Sequence, residues 1–257
     1  MYYYIYDSFL SDRKYSATLE RVESRLMSLG INGRIEKMTL LKSLREVISD
    51  AIKKGATTII AVGNDDTVSK IINFLPNLSI TLGIIPLGDN NAIATSLGIP
   101  QGEAACEVLS SRIIEHIDVG KANDCYFISS LSIPAQKEVV FDWGAYQVRP
   151  IDEQNQITIC NFNTSTDLSN KAMRKTCNPH DGILEAIFKA PEDRGWFSFS
   201  KKQYSSASVF PFTKIKIKCS TECLPVVADG QTTIKTPVTV EVIPKKLKLI
   251  VGKNRMF

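Results

Sequence analysis

No stretch of this chain approaches the roughly 18 consecutive apolar residues that a membrane-spanning helix needs. The opening MYYYIYDSFL has no basic flank and meets an aspartate at position 7, so a secretory leader is not expected either. Both absences lead to the expectation of a cytoplasmic protein. Internal repeats and low-complexity linkers are also lacking, so the two halves of the chain are expected to share a wall and a cleft. Cysteine is sparse: Cys106, Cys125, Cys160, Cys177, Cys219 and Cys223 are scattered over 257 residues without framework spacing, which reads as reduced thiols. Histidine is nearly absent, with only His116, in the apolar run IIEHI, and His180. Cys177, His180, Cys219 and Cys223 have the side-chain types of a zinc site, but their spacing does not decide between a metal centre and separate thiols.

What is present is ordinary globular composition, 44% hydrophobic and 23% charged, in a chain long enough for one large domain or two modest ones. The net charge of +4 is unevenly placed, with eleven Lys or Arg against three acids from residue 200 onward. Such a surplus suits anionic headgroups and phosphates. In TKIKIKC, Lys214, Lys216 and Lys218 alternate with Ile215, Ile217 and Cys219, the period of a strand with one wet face. These lysines are candidates for a membrane-facing stripe, the competing reading being a solvated sheet face.

The first half alternates strand and helix. Strands are expected over 2–6, 31–38, 57–62 and 81–85. Helices are expected around Leu19, Val22 and Leu26, over 40–54, over 68–75 and over 92–97. This order implies a Rossmann-like parallel sheet with helices on its faces, in which ligands bind beyond the carboxyl ends of the strands. Past about Asp118 the helical period fades into short alternating runs, at 126–130, 156–161, 184–188, 213–219, 238–243 and 247–251, so a mainly antiparallel β-sandwich is expected. The expected division is 1–118 for an α/β nucleotide-binding domain and 119–257 for a substrate domain, the two sharing a cleft. Trp143, Tyr146, Trp196 and Phe197 are either core or the lining of an acyl pocket.

Two turns carry the candidate chemistry. GNDDT (63–67) and PLGDNN (86–91) each leave an expected strand and precede an expected helix, which aims backbone N–H groups at one spot and favours phosphate oxygens. Asp and Asn there are also common helix caps, so spacing alone does not separate a phosphate loop from a solvated junction.

GNDDTVSKIINFL followed by LGIIPLGDNNAIATSLGIP resembles the diacylglycerol kinase catalytic family, which includes bacterial lipid kinases and sphingosine kinases and, more distantly, NAD kinases. IIEHIDVGKANDCYF, HDGILEAIF and VADGQ resemble the family's later passages in the same order. The resemblance implies phosphorylation of a lipid hydroxyl with ATP and Mg²⁺. Its alternatives are a catalytically inactive homologue (a pseudokinase) that binds nucleotide or lipid, and an NAD kinase-like enzyme for a soluble substrate. It implies nucleotide binding by Gly63, Asn64, Asp66, Thr67, Gly88, Asp89 and Asn91, metal at Asp65 and Asp66, and catalytic roles for Asp65, Asp229 and Gln231. It further implies a lipid substrate at an anionic membrane surface, a peripheral location, no nucleic-acid partner, room for a homodimer, and a final segment, about 245–257, packed back on the first domain.

Several positions depart from the family pattern. The opening Asn-Pro-x-x-Gly segment has no counterpart at Tyr6-Asp7-Ser8-Phe9. Asn64, Asp66 and Asn90 stand where the family has glycine or a small residue, and Asn and Asp are the side chains that best tolerate φ > 0. Asp66 and Asp89 add negative charge near phosphates, on the order of 4 kcal/mol for each like-charge pair at ~4 Å and an effective dielectric of ~20 unless a cation intervenes. Gln231 replaces a glutamate and cannot accept a proton, and losing a general base typically costs ~10²- to 10⁴-fold in rate.

Overall fold

The computed structural model describes residues 1–39, 42–75, 79–136, 138–150, 156–162, 177–189, 207–220 and 223–257. The chain divides into two compact units, one of Met1–Asp118 with Pro244–Phe257 and a second that holds the described residues from Val119 to Ile243.

In the first unit β1 (Tyr2–Tyr6), β2 (Arg34–Lys37), β3 (Thr58–Gly63) and β4 (Thr81–Pro86) form a parallel sheet in the order β2-β1-β3-β4. β3 (TIIAVG) and β4 (TLGIIP) are buried along their whole length, as continuous apolar runs covered on both faces should be. α1 (Ser16–Ser28), α2 (Leu44–Lys53), α3 (Asp65–Ile72), α4 (Ala92–Ser96) and α5 (Ala105–Ser111) supply the cover. α1 buries Leu19, Val22 and Leu26, the stripe that its periodicity predicts. α5 was not expected from the sequence. Between β1 and α1 the chain makes two 3₁₀ turns, Ser8–Ser11 and Arg13–Tyr15, capped by Asp7 and Asp12. β5 (Ile114–Ala122) leads into the second unit.

The second unit holds β6 (Cys125–Phe127), β7 (Ser130–Ile133), β8 (Val139–Asp142), β9 (Gln147–Val148), β10 (Gln156–Cys160), β11 (Leu184–Lys189), β12 (Ala207–Phe212), β13 (Lys214–Cys219), β14 (Pro225–Ala228) and β15 (Thr232–Lys235). One antiparallel sheet runs β12-β11-β10-β7-β14-β15, and β8 pairs with both β9 and β13. Their inward faces make a core of Phe127, Phe141, Ile157, Ile159, Leu184, Ile215, Ile217 and neighbours. The α/β unit followed by antiparallel β structure is the fold class read from the sequence.

The two expected strands 238–243 and 247–251 are one strand, β16 (Val238–Ile250). Its first half pairs antiparallel with β13, and its second half pairs parallel with β4 through Lys248↔Thr81 and Leu249↔Leu82. The change comes at Pro244 and Lys245, where Lys245 adopts φ 51° and donates its N–H to Asp118 Oδ1 (2.7 Å). The carboxyl-terminal residues then lie against α4: Gly252 N–H donates to Leu97 O and Met256 N–H to Ser96 O, both at 2.9 Å.

Cys160 and Cys177 are joined in a disulfide, with Cα atoms 5.7 Å apart, contrary to the expectation of six reduced thiols. Tertiary placement brings together residues 17 apart, which spacing in a long chain does not signal. Cys177 is thereby spent, and no group of three or more His, Cys, Asp or Glu converges on a metal among the described residues. The set Cys177, His180, Cys219 and Cys223 is not a zinc site.

Candidate active site

β3 and β4 run in register through Gly63↔Pro86, so the turns leaving them start level, and Leu87 N–H donates to Gly63 O (2.9 Å). The first turn is short because α3 begins at Asp65, three residues earlier than expected. Asn64 is its N-cap: Asn64 Oδ1 accepts Thr67 N–H (3.3 Å) and Thr67 Oγ1 accepts Asn64 N–H (3.2 Å), a reciprocal capping box. Asn64 therefore sits at φ −104°, and Asp66 is helical. Neither needs the left-handed conformation that the sequence argument allowed them, whereas Asn90 in the second turn adopts it, with φ 59°.

Asp65 ties the turns together. Its N–H donates to Asn90 O (2.9 Å), and its carboxylate accepts Ala92 N–H (2.8 Å) and Ile93 N–H (3.1 Å). The carboxylate thus caps the start of α4 from another helix. In the second turn Gly88 O accepts the Asn91 Nδ2 amide (2.8 Å) and the Gln101 Nε2 amide (2.7 Å). The Asn91 bond fixes its carboxamide, and the buried Oδ1 has no donor among the described residues. Asp66 is half-buried and Asp89 is exposed. Among the described residues the N–H groups of Asp66, Gly88 and Asp89 have no hydrogen-bond partner.

The flank is closed by residues that sequence reasoning did not assign to the site. Asp7, at the end of β1, accepts the Thr67 hydroxyl at Oδ2 (2.8 Å). Phe9 lies over the second turn: a Cβ on Gly88 would stand 3.0 Å from its Cε2. Phe9 also packs edge-on against Tyr15, with ring centroids 5.4 Å apart. The available signal was a carboxylate ending the strand next to β3. At Gly63 a Cβ would collide with Thr67 Oγ1 and come 3.2 Å from Asp7 Cβ. Gly63→Ala is therefore expected to dislodge the cap and cost about 1–3 kcal/mol, read as a lower denaturant midpoint at unchanged slope. An unaltered midpoint would mean that the turn yields freely.

The remaining sequence candidates lie in the second unit. Asp229 is not on a strand but in the turn between β14 (Pro225–Ala228) and β15 (Thr232–Lys235), at φ 48°. Its carboxylate accepts three backbone N–H groups, from Ile128 (2.9 Å), Ser129 (2.9 Å) and Ser130 (3.0 Å). Gln231 is exposed two residues on, its N–H donating to Ala228 O. Lys214, Lys216 and Lys218 share an exposed face of β13, but Lys214 pairs with Glu241 (3.0 Å) and Lys218 with Asp142 (3.2 Å), which reduces the surplus charge there. Trp143 stacks on Tyr146 (5.2 Å); Trp196 and Phe197 lie outside the described residues.

Residues 2–122 match the family model of the diacylglycerol kinase catalytic domain. This stretch belongs to that family. Over 88 residues the chain is 35% identical to the diacylglycerol kinase of Bacillus subtilis, covering 33% of this chain and 29% of that one. Over 82 residues it is 33% identical to the diacylglycerol kinase of Mycobacterium tuberculosis, covering 31% and 26%. The matches thus span less than a third of those relatives' length. A crystal structure of a diacylglycerol kinase from Bacillus anthracis has the same fold over 99% of this chain and 97% of its own, with a TM-score of 0.77 and 18% identity. Among the described residues no helix is long and apolar enough to cross a membrane.

Proposed function

We propose that this chain is a lipid kinase that uses ATP and Mg²⁺ to phosphorylate the hydroxyl of a lipid such as a diacylglycerol. The observation that carries the reading is the pair of linked turns at the ends of β3 and β4, with the N–H groups of Asp66, Gly88 and Asp89 unpartnered beside them. Unpaired backbone N–H groups at a strand-to-helix junction favour phosphate oxygens. Gly63, Asn64 and Thr67 shape the first turn, Asn91 shapes the second, and Asp65 holds the two in register.

The residues also fit a magnesium nucleotide. Mg²⁺ is commonly held by one or two carboxylates together with phosphate oxygens. Asp66 and Asp89 supply carboxylates, and Asn91 Oδ1 is a buried oxygen without a donor among the described residues. The two Asp65 oxygens already accept Ala92 and Ile93 N–H, which suits that residue to positioning more than to ligation. When bound, the ion would neutralise phosphate charge during transfer. On the acceptor side Asp229 would hold the turn that bears Gln231, whose amide can hydrogen-bond a hydroxyl. The lysine face of β13, with Lys216 outside the two ion pairs, would meet anionic headgroups at a membrane surface.

Mg-ATP at about a hundred times its Kd is expected to stabilise the protein by about 2.7 kcal/mol, a rise of several degrees in melting temperature. Labelled phosphate should appear in lipid when diacylglycerol micelles are added. The absence of any shift, with or without Mg²⁺, would overturn the nucleotide site. Binding without turnover, with transfer appearing only in Gln231→Glu, would assign the natural chain to a binding role.

A further inference from the structure

Thr67 has one hydroxyl proton and two acceptors within reach of it. Thr67 Oγ1 lies 2.8 Å from Asp7 Oδ2 and 3.2 Å from Asn64 Oδ1, while Asn64 N–H donates to the same oxygen at 3.2 Å. An ionised carboxylate only accepts, and the shorter, charged acceptor draws the proton. Asp7 is itself held in place. Its Oδ1 accepts the Ser8 hydroxyl (3.2 Å) and Phe9 N–H (3.4 Å), and its own N–H donates to Val62 O (3.0 Å). The absence of a side chain at Gly63 is what lets Thr67 reach across the turn.

This arrangement works against an incoming phosphate, whose oxygens are acceptors. A hydroxyl that gives its proton to Asp7 presents only lone pairs to them, and Asp7 adds a negative charge at the same strand ends. An asparagine at position 7 would reverse the polarity. It caps the 3₁₀ turn as well as aspartate does, and its NH₂ can donate to Thr67 Oγ1. The Thr67 proton would then be free to turn outward, with only the neutral Asn64 carboxamide competing for it at 3.2 Å.

We propose that Asp7 is a positioning residue that sets nucleotide affinity: by holding the Thr67 hydroxyl proton it keeps Mg-ATP binding weak, and neutralising it tightens binding. The inference rests on the phosphate-binding reading of the Gly63 and Gly88 turns. It is tested by titrating Mg-ATP calorimetrically into the full chain as wild type, Asp7→Asn, Asp7→Asn with Thr67→Ser, and Asp7→Asn with Thr67→Val. Nucleotide-free melting temperatures report on folding.

Asp7→Asn is expected to lower the Kd about tenfold or more, the usual scale of a hydrogen bond to a charged group. The Thr67→Ser combination, which keeps a hydroxyl, should retain the gain, and the Thr67→Val combination should lose most of it. If Asp7→Asn does not fold, Asp7→Ser, also a capping residue, carries the same comparison. A variant that binds no tighter than a wild type that does bind overturns the role of Asp7 alone. Full gain without the hydroxyl overturns the Thr67 route. No Mg-ATP binding by any folded variant overturns the phosphate-binding reading and the role of Asp7 with it.

Discussion

Asp65→Ala is expected to lower the melting temperature by about 6–12 °C and to abolish Mg-ATP binding together. The carboxylate makes two charge-assisted bonds, to Ala92 N–H (2.8 Å) and Ile93 N–H (3.1 Å), at the otherwise uncapped start of α4. Each bond to a charged group is typically worth about 1.5–3 kcal/mol. Asp65 is half-buried, so the lower end applies and the pair sums to about 3 kcal/mol. For a chain of this size about 2–4 °C follows from each kcal/mol. The binding loss has a separate cause. Asp65 N–H also holds Asn90 O and Leu87 N–H holds Gly63 O, both at 2.9 Å, so an alanine keeps these backbone links between the turns but loses both side-chain bonds to the start of α4. Asp65→Asn, with a single acceptor oxygen, should fall about halfway in stability. A loss of stability with unchanged nucleotide affinity would show that the clamp does not shape the cradle. A melting temperature within about 2 °C of wild type would show that water caps α4 as well as Asp65 does.

Glu185 is expected to make the second unit lose stability as pH rises. It lies on β11 opposite Cys160, is 8% exposed, and its Oε2 has no hydrogen-bond partner among the described residues. Burial pushes its carboxyl up from 4.5 to about 7; the Cys177 backbone N–H opposes the shift, and the negative charge of Asp181 adds to it. A carboxyl with a raised folded pKa binds its proton more tightly in the native state than in the unfolded chain. Its stabilising contribution is therefore complete below about pH 4.5 and is lost as pH rises through about 7. The shift corresponds to about 3 kcal/mol. Denaturant unfolding between pH 5 and 8 should show that fall in the wild type and little of it in Glu185→Gln, which should be the more stable protein at pH 8. Parallel pH profiles for the two proteins would refute the assignment. The adjacent Cys160–Cys177 disulfide is present in both and cancels in the comparison.

The legible part of this protein was the part written in local period and composition. The runs TIIAVG and TLGIIP, apolar end to end and followed by Gly, Asn and Asp, identified buried parallel strands opening into turns, and both strands lie where expected. The reading failed where a residue's role depends on what faces it. Spacing puts Asp65 and Asp66 in a loop, but the capping box formed by Asn64 and Thr67 draws them into the first turn of α3. Asp7 was only the place where an expected segment was missing, because a contact 60 residues away in sequence leaves no periodic trace. The alternating runs 238–243 and 247–251 read as two strands, yet β16 continues through Pro244 by changing partners from β13 to β4.

By itself the sequence determined that an α/β sheet would give way to antiparallel β structure, and that two Asn- and Asp-rich turns would follow neighbouring strands. Apolar period and helix capping act over a few residues and need no knowledge of the rest of the chain. Only the tertiary structure decided how the carboxylates are used, with Asp65 on the amides of α4, Asp229 on three amides of Ile128 to Ser130, and Asp7 on Thr67. A carboxylate accepts whichever donors the fold brings within about 3 Å, and those donors come from segments far away in sequence.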